Sequence, residues 1–229
     1  MPVNPVESST AWGHPATRRA WAGHVTMNFV SLLGWTGGWI ALLGISIGMP
    51  EWVVWILVPG FIYGPYRAAI QIYRFGSTIR MLRILRTYPW QVLRDVPHGL
   101  TERHEVAGRQ YGWFEFLNPA RPEMSIALVF GQHFGTGWWS RRMAPRSDAR
   151  LKSQIATVWF AGDPRFVGLI AAPTRGGTAP RRLHILEQRT AARNGQVFSQ
   201  WGAMPEDIAR GRRVGIRPVH PASRTEANP

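Results

Sequence analysis

Cysteine is absent from all 229 residues, which excludes disulfides, zinc–thiolate sites, thiol nucleophiles and palmitoylation. Lysine is nearly absent as well: Lys152 stands alone, and every other basic residue is arginine. That bias fits a GC-rich coding signature better than a functional choice. Acids are scarce, 13 against 27 Lys plus Arg, so the net charge is +14. Motifs are missing too. The chain holds no G-x-x-x-x-G-K-[ST], no H-E-x-x-H and no G-x-S-x-G, the patterns of phosphate-cradling loops, zinc helices and nucleophile elbows. Its seven histidines are scattered without ligand spacing, and His104-Glu105 lacks the second histidine a zinc helix needs. No catalytic residue, metal or cofactor is expected, because acid–base work needs converging titratable groups.

The most informative shortage is local. No Asp, Glu, Lys or Arg occurs from Ala20 to Pro50, nor from Trp52 to Tyr66. A first span over Val25 to Gly48 has 24 residues, about 36 Å of helix against about 30 Å of hydrocarbon. A secretory signal has an apolar region of about 7–15 residues and a small-x-small cleavage site; this run is longer and a second follows at once. The second span opens at Trp52 and reaches Ile72 by letting Arg67 lay its methylenes along the helix. Pro59 and Pro65 each remove a backbone donor and predict a kink.

Glycines four apart (Gly34 and Gly38, Gly44 and Gly48, Gly60 and Gly64) predict small faces along which membrane helices approach closely. Arg18 and Arg19 precede the first span. Arg67, Arg74, Arg80, Arg83 and Arg86 follow the second, while the turn Met49-Pro50-Glu51 carries only an acid. The excess of arginine puts both termini in the cytoplasm and these five side chains at the membrane surface.

The remaining divisions follow from composition. Residues 1–24 have no apolar period and read as a flexible tail. Residues 25–72 are the hairpin. Residues 73–89 read as an amphipathic juxtamembrane helix, either separate or continuous with the second span and loosened at Gly76, with Arg80, Arg83 and Arg86 on one face and Met81, Leu82, Ile84, Leu85 and Tyr88 on the other. That geometry predicts an apolar face laid on anionic lipid.

From residue 90 to about 190 the pattern turns strand-like. Strands are predicted at Arg109–Leu117, Met124–Gly131, Ile155–Ala161, Phe166–Ala172 and Leu183–Glu187, with Val92–Val96 or Arg103–Val106 adding one more. The stretch from Gly135 to Arg150 interrupts them as a basic loop or short helix. Gly162-Asp163-Pro164-Arg165 is a turn, with Pro presetting φ and Asp accepting from the backbone ahead. The fold class is therefore a membrane α-helical hairpin plus a small antiparallel β domain, barrel-like or an open sheet. Residues 191–229 read as a largely disordered tail, though Pro205-Glu206-Asp207 suits a helix start.

Two features invite a ligand. Asp163 and Arg165 form a polar pair that serves either the turn or a polar site, and Thr174-Arg175-Gly176-Gly177 offers amides to a phosphate. Residues 101–229 carry 19 basic against 10 acidic side chains, interleaved with Trp138, Trp139, Trp159, Phe160 and Phe166. Such a domain can hold single-stranded nucleic acid, but lipid is the nearer polyanion for a domain tethered at a membrane. The expected partners are thus an anionic bilayer and a protein partner, or a second copy, met through the hairpin.

The Arg-rich helix ending in R-T-Y-P-W at Arg86–Trp90, and the V-W-F-A-G-D-P-R-F run from Val158 to Phe166, resemble uncharacterised actinobacterial two-span membrane proteins. The resemblance covers residues 25–188. It implies a bacterial plasma membrane and carries over no catalytic residue.

Overall fold

The computed structural model describes residues 10–100, 112–131, 135–174, 177, 179–188 and 197–216. Two long helices precede a seven-stranded antiparallel sheet curled into an open half-barrel, so the hairpin-plus-β-domain class holds. The chain divides into two compact units: Arg19–Arg80, and the residues up to Arg18 together with those from Met81 onward. The strand prediction at Arg103–Val106 lies outside the described residues.

Helix α1 runs Pro15–Ser46 and α2 runs Glu51–Thr87, both long and apolar enough to cross a membrane. In their most apolar windows 0% and 6% of the residues are buried in the protein, so neither is a core helix of a soluble domain. They form an antiparallel hairpin. Leu42 meets Gly60, Trp39 meets Gly64, Trp35 lies edge-on to Tyr63 at 5.3 Å, and Asn28 Nδ2 donates to Thr78 Oγ1 at 3.2 Å. Two tryptophan N–H groups donate to opposing carbonyls, Trp39 to Phe61 and Trp21 to Thr78. Where lipid offers no partners, such bonds hold helices together.

Three expectations need correcting here. Residues 15–24 are not a loose tail, because α1 already begins at Pro15. The juxtamembrane helix is continuous with the second span but is not loosened at Gly76: α2 runs unbroken through Pro59, Pro65 and Gly76 to Thr87. Of the glycines, Gly60 and Gly64 do form a packing face, each backed by a large α1 side chain. Gly34, Gly38, Gly44 and Gly48 face open space and do not pack the hairpin. The physical reason is that α1 contributes its bulky Trp39 and Leu42 to the contact, so small residues are required on α2 alone.

In the second unit the strands are β1 Gln91–Arg94, β2 His98–Gly99, β3 Trp113–Asn118, β4 Arg121–Phe130, β5 Thr157–Asp163, β6 Val167–Pro173 and β7 Pro180–Glu187. Their spatial order is β1-β5-β6-β7-β4-β3-β2, every neighbouring pair antiparallel. Helices α3 Gly137–Met143 and α4 Ala149–Lys152 fill the interruption between β4 and β5. Alternate side chains line the concave face: Phe114 and Phe116 of β3, Leu128 and Phe130 of β4, Val158 and Phe160 of β5, and Ile170 of β6. Trp139 and Met143 from α3 close this core.

The opposite face of β5–β7 is buried as well, at Trp159, Ala161, Leu169 and Ile185. Trp90 packs edge-on to Trp159, and its indole N–H donates to the buried Thr17 hydroxyl at 2.8 Å. Double-sided burial is why these strands read as nearly continuous apolar runs. Met81, Ile84, Leu85 and Tyr88 at the end of α2 are buried in the protein, so this face is not available to a membrane surface as expected.

The carboxy-terminal region also differs from the reading as a disordered tail. Helices α5 Val197–Gln200 and α6 Pro205–Arg213 form there, α6 from the expected Pro205 start; the Phe198 ring lies tilted against Phe166, and Val214 is fully buried.

Candidate functional site

The β-domain carries a groove of about 830 Å³. Five arginines line it: Arg94 at the end of β1, Arg142 on α3, Arg150 on α4, and Arg181 and Arg182 on β7. Among the described residues no Asp or Glu lines it, and none of the five makes an ion pair.

Local structure aims them. Strand alternation would send Arg181 and Arg182 to opposite faces. Instead the register between β6 and β7 shifts between Ile170 and Ala172: His184 pairs with Ile170 and Arg181 with Ala172, leaving an extra residue on β7. Arg182 takes up the bulge with φ +59°, a left-handed conformation unusual for any residue but glycine. Arg142 is fixed differently. Its Nε donates to Gln154 Oε1 at 2.9 Å, its Nη1 donates to the Trp138 carbonyl at 2.8 Å, and its guanidinium sits 3.7 Å over the Trp138 ring. Arg182 lies 5.8 Å from that same ring. Burial, then the positive charges of Arg182 and Arg141, push the Arg142 guanidinium below its ordinary pKa.

Thr174 and Gly177 also line the groove, and the Gly177 N–H turns back to the Thr174 carbonyl at 2.8 Å. Arg175 and Gly176 lie outside the described residues.

Asp163 and Arg165 are not part of this groove. Both are buried, and every nitrogen of the guanidinium is engaged. Nε and Nη2 donate to the Asp163 carboxylate, Nη2 also reaches Asp207 Oδ2 at 2.8 Å, and Nη1 donates to the Gly202 carbonyl. Although burial alone lowers the Arg165 pKa, its bonds to Asp163 and Asp207 raise it above the ordinary value. The pair is a clamp between the β5–β6 turn and α6, with no free edge for a ligand. The turn itself spans Asp163 to Phe166, whose N–H donates to the Asp163 carbonyl at 2.9 Å.

The five arginines expected at a membrane surface fall into two groups. Arg67 lies over Trp35 and Tyr63, at 5.2 and 5.8 Å from their ring centres, and Arg74 Nη1 donates to Gln71. Those two and Arg80 are half-buried, whereas Arg83 and Arg86 are exposed, Arg86 lying over Trp12.

Four of the five aromatics interleaved with the basic residues are buried: Trp139, Trp159, Phe160 and Phe166. The fifth, Trp138, carries Arg142 on its ring. Among the described residues, the β-domain has no exposed aromatic side chain, and no three His, Asp or Glu residues are grouped to hold a metal. The groove was invisible to sequence reasoning; only the adjacent Arg181-Arg182, out of step with strand alternation, hinted at it. Compared with protein-family models, curated proteins and solved structures, the chain matches none.

Proposed function

We propose that the chain is a membrane-anchored, non-enzymatic accessory protein. Two apolar helices hold it in a bacterial plasma membrane with both termini in the cytoplasm, as in the actinobacterial two-span proteins it resembles. Its β-domain presents a cationic groove to a polyanion on that side. The observation that carries the reading is the five-arginine groove in which no described residue is an acid, in a chain whose α1 and α2 bury almost none of their apolar windows. Anionic lipid is preferred to single-stranded nucleic acid because bases bind by stacking on exposed aromatics, and the described aromatics of this domain are buried or half-buried. The anchor organises a partner, or a second copy, through the hairpin.

Cell fractionation with a carbonate wash, followed by affinity capture in mild detergent, tests this. The full chain is expected in the membrane pellet and in a complex. Recovery in the supernatant, or as a lone monomer, overturns the reading, as does a reporter fused to either end that is active only outside the cell.

A further inference from the structure

We infer that the arginine-lined groove is a binding site for a ligand carrying at least two phosphoryl groups, a diphosphate or a pair of neighbouring phosphate esters. The inference rests on the reading of the groove as the working surface, and not on where the hairpin sits.

The first argument is a contrast within one domain. Arg165, which holds the fold together, is surrounded by two carboxylates and a carbonyl. The five groove arginines line one cavity, and among the described residues no carboxylate lines it with them. Like charges gathered around a cavity repel, and Arg142, whose pKa burial lowers most, is lowered further by the charges of Arg182 and Arg141. A polyanion relieves it.

The second argument is preorganisation. Two of the five N–H groups of Arg142 are committed to Gln154 and the Trp138 carbonyl, and the ring beneath fixes the plane. The remaining three are presented at a set angle, the geometry guanidinium uses to grip phosphate oxygens with paired hydrogen bonds. At Arg182 the backbone keeps a conformation that costs stability and whose visible effect is to bring two successive arginines to the groove. Strain of this kind persists where the surrounding structure holds it in place, and it concentrates at ligand sites.

Size and number point beyond a single phosphate. A volume of about 830 Å³ is far larger than one phosphate ion, and the five guanidiniums come from four separate elements. Two doubly gripped phosphoryl groups would engage four of them. The half-buried Trp138 is already covered by Arg142, so the chemistry recognised is phosphate and not a stacked base. A lipid headgroup with two phosphates and a soluble diphosphate both supply it.

The test uses the full-length chain in phosphatidylcholine nanodiscs at low salt, titrated calorimetrically with inorganic pyrophosphate, orthophosphate and a single-stranded oligothymidylate. Pyrophosphate is expected to bind at least about tenfold tighter than orthophosphate. Arg142→Gln and Arg182→Gly are each expected to weaken it about tenfold, with Arg121→Gln as a neutral control. Arg182→Gly is the decisive variant. Glycine accepts the positive φ, so it removes the cation without lowering the melting temperature. Repeating the titration in discs containing cardiolipin separates the sources: reduced pyrophosphate binding identifies a lipid diphosphate, and unchanged binding a soluble one.

The proposal is overturned if pyrophosphate binds no better than orthophosphate, if both variants keep wild-type affinity, or if the oligonucleotide binds more tightly than pyrophosphate. A chain that pellets with membranes yet ignores pyrophosphate sinks this ligand alone. One that binds pyrophosphate from the supernatant sinks the membrane anchor alone.

Discussion

The rings of Phe116 and Phe160 stack with centroids 4.2 Å apart and planes inclined by 29°, although β4, β7 and β6 separate their strands in the sheet. On a flat sheet four strand spacings would put them about 19 Å apart. Their contact therefore closes the curl that makes one face a core. Phe160→Ala is expected to cost about 3–5 kcal/mol, as large cavities at buried aromatics do, read from chemical unfolding of the detergent-solubilised chain. A double-mutant cycle with Phe116→Ala should return a coupling of about 0.5–1.5 kcal/mol. Gly168 faces the Phe160 ring with no room for a Cβ, so Gly168→Ala should lower stability by a similar route.

The hairpin makes an asymmetric claim on its glycines. A Cβ on Gly64 would meet Trp39 Cδ1 at 2.7 Å, whereas one on Gly38 would meet nothing within 4 Å. Gly64→Val should loosen the α1–α2 contact by about 1–3 kcal/mol through overpacking, and Gly38→Val should leave it intact. Because the chain has no cysteine, an engineered cysteine pair at the closed end of the hairpin reports the difference cleanly. Cross-linking should fall in the Gly64 variant only. Equal yields would contradict the packing described.

Arg165 joins the β5–β6 turn to α6, and its two acidic partners are not equivalent. The Asp163 carboxylate is buried, while the side chain of Asp207 is 20% exposed. Asp163→Ala leaves a buried guanidinium without its main partner and is expected to cost about 3–5 kcal/mol. Asp207→Asn keeps that partner, so it should cost about 1 kcal/mol. It should also release α6, whose first turn Asp207 caps by accepting from the Met204 N–H at 3.1 Å. Limited proteolysis between residues 203 and 216 reads that release; unchanged protection would show that α6 does not depend on the clamp.

Tyr88 closes α2 in a buried site, and its hydroxyl has no hydrogen-bond partner. Burial first, then the charge of Asp163, pushes its pKa up from 10.0 to about 12. The folded state thus holds the phenol proton more tightly than the unfolded chain. The contribution to stability is complete below pH 10 and is lost as the pH rises from 10 towards about 12. Tyr88→Phe should remove that alkaline loss and leave the neutral-pH melting temperature unchanged or slightly higher, since no bond is broken. Thermal melts across the alkaline range decide it: a large drop at pH 7 would reveal a partner for the hydroxyl.

Much of the architecture was legible because it is written locally. The charge-free runs before Pro50 and Tyr66 located both long helices, since a missing charge is a property of the residues themselves. Alternation and turn chemistry located β4 to β7 to within a few residues, and Asp163-Pro164 marked the connection between β5 and β6. Boundaries were less secure. Residues 15–24 lack an apolar period yet are helical, because they continue α1. The end of α2 has an amphipathic face whose covering surface the pattern cannot specify.

What tertiary structure alone decided is the company each side chain keeps. Composition counted the arginines, but the meeting of β1, α3, α4 and β7 and the one-residue slip between β6 and β7 chose which five share a cavity. Glycine spacing marked three small faces, and only the contact with Trp39 and Leu42 selected Gly60 and Gly64. Asp207 became a partner of Arg165 through a helix that packs from far along the chain. Helix, strand and turn preferences act over a few neighbouring residues, whereas charge neutralisation and close packing depend on distances that only the folded chain sets.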